Sequence, residues 1–472
     1  MPVNSRHPDY THASPQWTRC AAAYDGTDSI KAAKEEYLPR LSKQLDSDYD
    51  AYAKRALFYG ATERTVQGLV GAAISRPFQV ELPAVLEYLT QTATLTGDSL
   101  EGVVKKAVRE TLVSGRLGIL VERSAAQEGG KPYLSTYHAA QIINWSEVGG
   151  KLLFVVLEEC YYDDMADPFA HREYKRWRVL SLAEGAYTQT LYKRQRAPDG
   201  VSELEIIVAE QPITPTFRGV SLDYIPFVFI NADGAGCDVS KPPILSLVDV
   251  NLSHYRNSAD LEHGRHFTGL PTPYVTGYKP SDGEEFRIGS AAAWIFPAPD
   301  VTVGYLEFSG AGLGTLERAL ESKENMMAVL GARLLETQKR AVEAADTLRI
   351  RGAGDSYTLG SISTAVAEGL SKALTYASRW EGGEAVVMQP NKQFVDSTLS
   401  AQDLTALLAA YTANAMSLDT FLWNLQKGER LRPDGTIDDE MSRIGDAKDS
   451  SADGLPALTP AEQAAAAANL EE

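Results

Sequence analysis

Hydrophobic side chains recur at every third or fourth position over two long stretches of the chain, Pro242–His266 and Gly312–Gln338. This spacing puts them on one side of a helix and predicts two amphipathic helices, the first about 36 Å long at the usual rise per residue. The first stripe is apolar or aromatic except for one acid: Leu245, Val248, Leu252, Tyr255, Ala259 and Glu262. The second is apolar throughout: Leu313, Leu316, Leu320, Met327, Leu330 and Leu334.

The segment between these helices is short and rich in proline, glycine and aromatic residues. Gly269 and Pro271 are expected to end the first helix, since glycine is a common helix terminator and proline cannot continue the helix. Thr272–Thr276 and Val301–Phe308 have the composition of strands, and a glycine-rich hinge precedes the second helix. The pattern therefore predicts a helix–insert–helix unit, which is the most informative feature of the chain.

The region before this unit changes from helical to strand periodicity. Helical spacing covers Asp46–Ser75, Ala84–Leu95 and Leu100–Ser114, the first with an apolar stripe at Tyr49, Tyr52, Leu57, Val66, Val70 and Ile74. Strand signals then follow: Arg172–Leu182, Ala186–Lys193 and Leu204–Ala209 alternate as antiparallel strands do, and Gly118–Glu122, Leu152–Glu159 and Phe227–Ile230 are short runs rich in apolar residues. Residues 46–238 are thus predicted to form an α+β domain, and the turn-rich residues 1–45 an N-terminal arm.

The region after the unit is predicted to be helical between flexible segments. Residues 337–358 are charged and then glycine-rich, as in a loop. Leu359–Ser378 and Leu404–Leu425 have helical spacing, so residues 359–431 are predicted to be helical. Residues 432–472 are acidic and alanine-rich with few large apolar groups, and are expected to be a mobile tail.

Composition describes an ordinary globular protein, with 472 residues, 44% hydrophobic and 23% charged. This length predicts several substructures. No run of eighteen apolar residues occurs, and no secretory signal is expected at the N-terminus. Cys20, Cys160 and Cys237 lie far apart, so we expect free thiols in a reducing cytoplasm.

The formal net charge is −18 at pH 7. Proteins that hold DNA through its phosphates are usually basic, and acidity most often serves solubility. An acidic channel would instead repel DNA and let it slide without sticking. Composition does not say which face carries the charge, so both interpretations stay open.

The sequence contains no signature of catalysis, so we expect no enzyme activity, no cofactor and no metal. Ser309–Gly314 reads GxGxG rather than GxGxxG, and GxxxxGK[ST] and GxSxG are absent. His254, Glu262, His263 and His266 crowd one helix, but HExxH is absent and a third metal ligand is not evident. The acids Asp163, Asp164, Asp167, Glu158 and Glu159 lack the spacing of an EF-hand or any frame for glycosidic chemistry.

One strand is both basic and aromatic. Arg172, Tyr174, Arg176 and Arg178 alternate along it and therefore share a face. Such a face could bind nucleic acid. Salt bridges between subunits of an oligomer are the interpretation that we favour.

Several stretches resemble the portal proteins of tailed bacteriophages, also called head-to-tail connectors. The likeness covers about residues 45–385 and consists of family motifs: Tyr52–Tyr59, Thr65–Gly71, Gly115–Val121, Pro132–Leu134, Gln141–Trp145, His254–Arg256, His266–Pro273, Tyr305–Phe308 and Gly331–Leu335. None of these motifs is catalytic.

The resemblance implies a portal-like α+β fold that assembles into a homo-oligomeric ring, usually of twelve copies, at one capsid vertex. Double-stranded DNA would be packaged and ejected through the ring. Partners would be terminase, head–tail adaptor and tail proteins, and major capsid and scaffolding proteins, with no membrane. The ring would assemble in the host cytoplasm and belong to the virion.

The resemblance also implies a role for each segment. Residues 46–238 would be the wing, 239–266 the first stem helix, 267–311 the clip, 312–336 the second stem helix, 337–358 the tunnel loop and 359–431 the inner wing and crown. Candidate stem-packing residues are Leu245, Leu252, Leu316, Leu320 and Met327, and candidate channel residues are Lys339, Arg340, Glu343 and Arg351.

Two alternatives stay open. Another head–tail connector or a capsid-associated structural protein would form a different ring or none. A cytoplasmic hydrolase with an unrecognised carboxylate site would be a monomer or small oligomer.

Overall fold

The structure is a computed structural model that describes residues 2–123, 130–162, 169, 171, 173–196, 203–234, 236–269, 272–278, 296, 300–306, 310, 312–333, 357–390, 401–413, 415–427 and 437–452. It divides into two compact units, Met1–Phe394 and Val395–Glu472. The first unit mixes helices and antiparallel sheets around one large hydrophobic core. Among the described residues, no helix is both long and apolar enough to cross a bilayer.

The N-terminal segment is part of the core, so its prediction as an arm was wrong. It forms helices α1 (Pro8–Asp25) and α2 (Thr27–Ala32) and a short 3-10 turn at Lys34–Glu36. The α1 side chains that point inward are spaced as on one helix face and are all buried: Tyr10, Ala13, Trp17, Cys20 and Ala23. Burial of this face ties the segment to the domain.

The predicted helix over Asp46–Ser75 is two helices, α3 (Asp46–Arg55) and α4 (Ala61–Ala73). Ala56 leaves the helical conformation, with φ −57° and ψ 134°, and ends α3. Leu57, which we placed on the apolar stripe, therefore lies in the connection and is 63% exposed. The predicted helix over Ala84–Leu95 is a 3-10 helix at Ala84–Thr90. It follows the two-residue strand β1 (Gln79–Val80).

Helix α5 (Leu100–Ser114) has the predicted bounds because both ends carry strong signals. The Ser99 hydroxyl accepts a hydrogen bond from the Gly102 amide at 3.1 Å, which caps the start. Gly115 ends the helix in the left-handed conformation (φ 75°), and a Cβ there would lie 2.6 Å from the Ser240 carbonyl oxygen.

The predicted antiparallel strands form two main sheets. A five-stranded sheet has the order β4 (Ile142–Val148), β5 (Lys151–Tyr162), β6 (Glu173–Ala183), β7 (Ala186–Arg196) and β8 (Glu203–Ala209). A three-stranded sheet has the order β11 (Phe227–Asn231), β2 (Arg116–Arg123) and β3 (Pro132–His138). The short strands β9 (Thr216–Phe217) and β10 (Val220–Ser221) pair with each other.

The chain then enters helix α6 (Leu245–Gly269), strands β12 (Thr272–Thr276) and β13 (Thr302–Leu306), and helix α7 (Leu313–Arg333). The first stem helix was predicted to end at residue 266, and it ends one turn later at Gly269. Residues 334–338 of the second predicted helix lie outside the described residues.

Helix α8 (Tyr357–Trp380) covers the first part of residues 359–431, which were predicted to be helical. Its apolar face belongs to the main core, with Ile362, Val366, Leu370 and Leu374 fully buried. The chain after α8 returns to β1 through strand β14 (Met388–Gln389). The core therefore closes around elements from both ends of the first unit.

The second unit contains helices α9 (Ala401–Thr412), α10 (Leu418–Lys427) and α11 (Ile437–Ala452). The predicted single helical region Leu404–Leu425 is thus two helices, with Tyr411 and Phe421 stacked between them. Helix α11 lies within residues 432–472, which were predicted to be a mobile tail. Its first turn carries Asp438, Asp439 and Glu440, which favour a helix N-terminus.

Candidate functional site

Helices α6 and α7 pack against each other as an antiparallel pair. Lys323 donates to the Ser253 carbonyl oxygen at 3.0 Å, and Arg265 pairs with Glu317 at 2.9 Å. The residue numbers of the contacting residues decrease along α7 as they increase along α6, so the two helices run antiparallel. The two helices are joined at one end by the β12–β13 hairpin, so the predicted helix–insert–helix unit is present.

Apolar contacts line the seam between the helices. Leu247 of α6 and Met327 of α7 are each 2% exposed and form a small cluster with Ala61 of α4. At the other end of the seam Leu313 lies directly over Gly264, where a Cβ would lie 2.6 Å from a Leu313 methyl group. The absence of a side chain at Gly264 lets the helices approach closely next to the hairpin.

Helix α6 is buried in the core over its first two-thirds and projects beyond it. Leu245, Val248, Leu252, Tyr255 and Ala259 belong to the main core, whereas every residue from Arg265 to Gly269 is exposed. Core packing on one side and α7 on the other explain why polar side chains of α6 are buried too. Some of their polar atoms are paired locally, as where the Asn251 amide donates to the Thr62 hydroxyl at 2.9 Å.

The β12–β13 hairpin exposes apolar or aromatic side chains on both faces. On one face the Tyr274 ring, which is 42% exposed, lies across Gly304, where a Cβ would be 2.9 Å from the ring. On the opposite face Pro273 pairs with Tyr305, and Val275 with Val303. Tyr305 is 62% and Val303 48% exposed.

Helix α7 also exposes apolar groups on the side that faces away from α6. Met326 and Val329 are each 50% exposed, one turn apart on the same side of the helix. Its remaining outward residues are mostly charged or polar. The unit as a whole therefore combines a fixed base in the core with an apolar surface that one copy of the chain leaves uncovered.

The candidate stem-packing residues differ in how deeply they are buried. Leu245, Leu252 and Met327 are buried. Leu316 and Leu320 are half-buried on the face of α7 that carries Met327. The candidate channel residues Lys339, Arg340, Glu343 and Arg351 lie outside the described residues, as does the predicted tunnel loop 337–358 except for its last two residues, which begin α8.

The histidines of α6 do not form a metal centre. His254 is buried, stacks near Tyr59 and contacts the Glu324 carboxylate at 3.3 Å. His263 contacts Arg55 and the Tyr52 ring instead. Burial lowers the pKa of both imidazoles, which favours the neutral form. No group of three potential metal ligands occurs anywhere in the part of the chain that the structure describes.

Two arginines on the basic face of β6 are paired within the chain, so for Arg176 and Arg178 the favoured interpretation as salt bridges between subunits was wrong. Arg178 contacts Glu159 at 2.6 Å and Glu122 at 3.0 Å, and Arg176 contacts Glu159 at 2.6 Å. Arg172 lies outside the described residues. The face is therefore committed to a buried ion-pair network that joins the two sheets, rather than open to nucleic acid.

The acidic half of this network was not predicted from the sequence. The Tyr137 hydroxyl donates a further hydrogen bond to the Glu159 carboxylate, at 2.8 Å. Burial opposes the ionisation of Glu159, but the hydrogen bonds and charges of Arg178 and Arg176 outweigh it and lower the pKa of the carboxyl. Glu158 and Glu159 were recognised in the sequence as an acidic pair. Their register with β6, which puts Glu159 opposite Arg176, would have identified their partners.

Comparison with known proteins gives one family match and several remote structural likenesses. Residues 243–381 match a family described as a domain of unknown function, DUF4055. The match runs from the start of α6 to the end of α8, which is less than a third of the chain. No curated protein matches the sequence.

The structural likenesses are to particles of a gene transfer agent. A chain in the virion of the native particle is 12% identical, with a TM-score of 0.36 over 82% of this chain and 94% of that one. A chain in the neck of the empty particle is 14% identical, with a TM-score of 0.40 over 82% and 96%. One in the neck of the native particle is also 14% identical, with a TM-score of 0.35 over 84% and 98%. TM-scores below 0.5 do not establish a common fold.

Proposed function

We propose that this chain is the portal, or head-to-tail connector, of a tailed-phage-like particle. Copies of the chain assemble into a ring, twelve in the family that the sequence resembles, and double-stranded DNA passes through its centre. The ring binds terminase during packaging and head–tail adaptor or tail proteins afterwards. It occupies one vertex of the capsid. The proposal rests on the sequence motifs and on the geometry of the helix–hairpin–helix unit.

The observation that carries the proposal is the set of exposed apolar side chains on that unit. Its base is fixed in the core through α6, while Met326 and Val329 on α7 and the Val303–Tyr305 face of the hairpin remain exposed. Exposed apolar side chains that are grouped on one structural unit are typical of an interface. Repetition of this unit around an axis would cover the apolar groups and enclose a tube of paired helices.

The mechanism in this proposal is mechanical and electrostatic rather than chemical. Twelve copies would carry a summed formal charge of roughly −200 before counterions. A duplex inside an acidic tube would be repelled from the wall and would slide. Contacts to DNA would be made weakly through phosphate groups, which carry no sequence information directly. The chain itself would not be an enzyme, and ATP hydrolysis would belong to a partner.

Sedimentation of the purified full-length chain tests the proposal. The wild type is expected to sediment as one large species with a mass near twelve chains. The double variant Met326→Lys, Val329→Lys is expected to sediment as single chains, because charge replaces apolar contact at the interface.

A matched control separates loss of assembly from loss of folding. Leu95→Lys, Val148→Lys changes two apolar residues that are also exposed, at 72% and 64%, but lie outside the unit. We expect this control to assemble and all three proteins to share one thermal melting profile below the assembly concentration. The proposal would be contradicted if the wild-type protein stayed a monomer. It would also be contradicted if the control lost assembly to the same extent as the Met326→Lys, Val329→Lys variant.

A further inference from the structure

The paired helices α6 and α7 have two different flanks, one on each side of the seam between them. On one side Lys323 donates to the Ser253 carbonyl oxygen at 3.0 Å, and on the other side Glu324 contacts His254 at 3.3 Å. We call these the Lys323 flank and the Glu324 flank. Residues three or four positions apart lie on the same side of a helix. Met326, which is 50% exposed, therefore belongs to the Lys323 flank.

The Lys323 flank carries two cations that the chain does not pair with an acid. Arg256 lies one turn beyond Ser253 on α6 and is exposed. Burial and then the charge of Arg256 lower the pKa of Lys323, which shows that the two cations lie close together. Neither forms an ion pair with a residue that the structure describes, and Arg256 donates instead to the Tyr37 carbonyl oxygen at 3.0 Å.

The acids on the same flank of α6 already have partners. Asp249 pairs with Arg19 at 3.2 Å. Asp260 accepts a hydrogen bond from the Tyr52 hydroxyl at 2.7 Å, and its charge offsets one of the two cations. The side chains of the two helices therefore leave a positive surplus on the Lys323 flank, next to the exposed side chain of Met326.

The Glu324 flank is acidic. Glu317, Glu321 and Glu324 are spaced four and three residues apart and so lie on one side of α7. Arg265 pairs with Glu317 at 2.9 Å, whereas Glu321 is exposed and has no ion-pair partner in the described ranges. Burial lowers the pKa of His254, which favours the neutral imidazole and leaves Glu324 without a charged partner there. This flank therefore keeps a negative surplus.

An exposed apolar residue also lies on the Glu324 flank. The Leu57 amide donates to the Ser258 hydroxyl at 3.3 Å, and Ser258 is one turn beyond His254 on α6. The Leu57 side chain is 63% exposed. Each flank thus combines an exposed apolar side chain with unbalanced charge, and the two flanks differ in the sign of that charge.

The register of the two helices brings the unpaired charges to one level. The Lys323–Ser253 contact sets this register. Glu321 lies two residues before the lysine and Arg256 three residues after the serine, so the two lie at nearly the same height along the antiparallel pair. A second copy that is rotated about a common axis, without a shift along it, would bring its Glu321 opposite Arg256.

We propose that the Lys323 flank of one copy binds the Glu324 flank of the next copy around the ring, with Arg256 opposite the neighbour's Glu321. This inference rests on the proposed function and names the partner surface within it. Opposite charge selects unlike flanks. Contact between unlike surfaces can close into a ring, whereas contact between like surfaces ends at a dimer. The interface also covers Met326 of one copy and Leu57 of the next.

Charge reversal and mixing test the pairing of the flanks. In sedimentation, Glu321→Lys and Arg256→Glu are each expected to raise the protein concentration needed for assembly about tenfold, because each variant places like charges opposite one another. An equimolar mixture of the two variants is expected to assemble like the wild type, since alternating copies then meet only through opposite charges. Glu384→Lys, at an exposed acid outside the unit, is the matched control. It should assemble like the wild type and should not rescue Arg256→Glu.

Chemical cross-linking tests the same contact without charge reversal. In a Cys160→Ser background, a short bismaleimide should join the double variant Arg256→Cys, Glu321→Cys into a ladder of covalent multimers. Neither single-cysteine variant nor the Cys160→Ser parent should give this ladder, because like flanks do not meet. All variants should share the wild-type thermal melting profile below the assembly concentration.

The outcomes separate this inference from the proposed function. Wild-type protein that does not assemble would contradict both together. Wild-type protein that assembles, with no rescue in the mixture or no ladder from the double variant, would overturn the pairing of the flanks alone. Unchanged assembly of the Glu321→Lys variant would overturn it as well.

Discussion

The core of the first unit and the helix–hairpin–helix unit contrast in how completely one copy of the chain satisfies them. In the core, charged side chains can be paired within the chain, as Arg178 is between Glu159 and Glu122. In the projecting unit, Arg265 and Glu317 form an ion pair that is about half exposed, and apolar groups such as Tyr305 have no cover. The difference is what our proposal would require, in which other chains complete the unit while the core is complete within one chain.

The largest expected effect compares one arginine from each region. Arg178→Met should lower the free energy of unfolding by about 3–5 kcal/mol, because buried Glu122 loses its ion-pair partner and Glu159 keeps only Arg176. Arg265→Met should cost about 0–1 kcal/mol, since its ion pair is solvated. Urea unfolding of both variants measures this difference. Equal losses of unfolding free energy in the two variants would show that ion pairs contribute no more to the core than to the helix–hairpin–helix unit.

The second comparison uses apolar truncations. Leu252→Ala, in the buried part of α6, should cost about 2–5 kcal/mol through lost burial and a cavity. Leu316→Ala, half-buried on α7, should cost less than about 1.5 kcal/mol in the unassembled chain. Urea midpoints, read below the assembly concentration, test the pair. A larger loss at Leu316 would show that the projecting helix is a core element.

A third prediction concerns pH. The folded-state pKa of Glu159 is lowered, so its ionised form stabilises the fold above the ordinary carboxyl value of 4.5, and this contribution is lost as pH falls through the folded pKa. Glu159→Gln should therefore be less stable than the wild type at pH 7, and the gap should narrow toward pH 3. Urea unfolding at both pH values measures the gap. A gap that is independent of pH would contradict the assigned network.

These core predictions depend on contacts that the sequence could indicate only in part. Alternation along β6 correctly put Arg176 and Arg178 on one face, but their partners were set by the register with β5, which periodicity does not encode. Ends with strong local signals, such as Ser99 and Gly115 of α5, were predicted to the residue. Proline and turn residues hid the helical spacing of Tyr10, Ala13 and Trp17, so α1 was missed.

The candidate unit was predictable because its signal is local. Long helical stripes and a proline–glycine insert specify two helices and a hairpin without knowledge of distant contacts. How deeply α6 is buried was not predictable, because that depends on packing from α1, α3 and α4. This burial distinguishes α6, which is anchored in the core, from a helix that is exposed along its whole length.

The smallest expected effect is local to the hairpin. Gly304→Ala places a methyl group against the Tyr274 ring and should loosen β12 and β13. Global stability should change by less than about 0.5 kcal/mol, since the hairpin lies outside the core. Hydrogen exchange should rise in Thr272–Thr276 and stay unchanged in α5. Faster exchange throughout the chain would show that the hairpin supports the core.

Negative-stain imaging of the purified full-length chain tests the central claim most directly. We predict top views of closed rings with a central hole wide enough for duplex DNA, and side views in which a narrow stem projects from a broader body. A field of uniform small particles with neither hole nor stem, at concentrations where the protein is folded, would contradict the account.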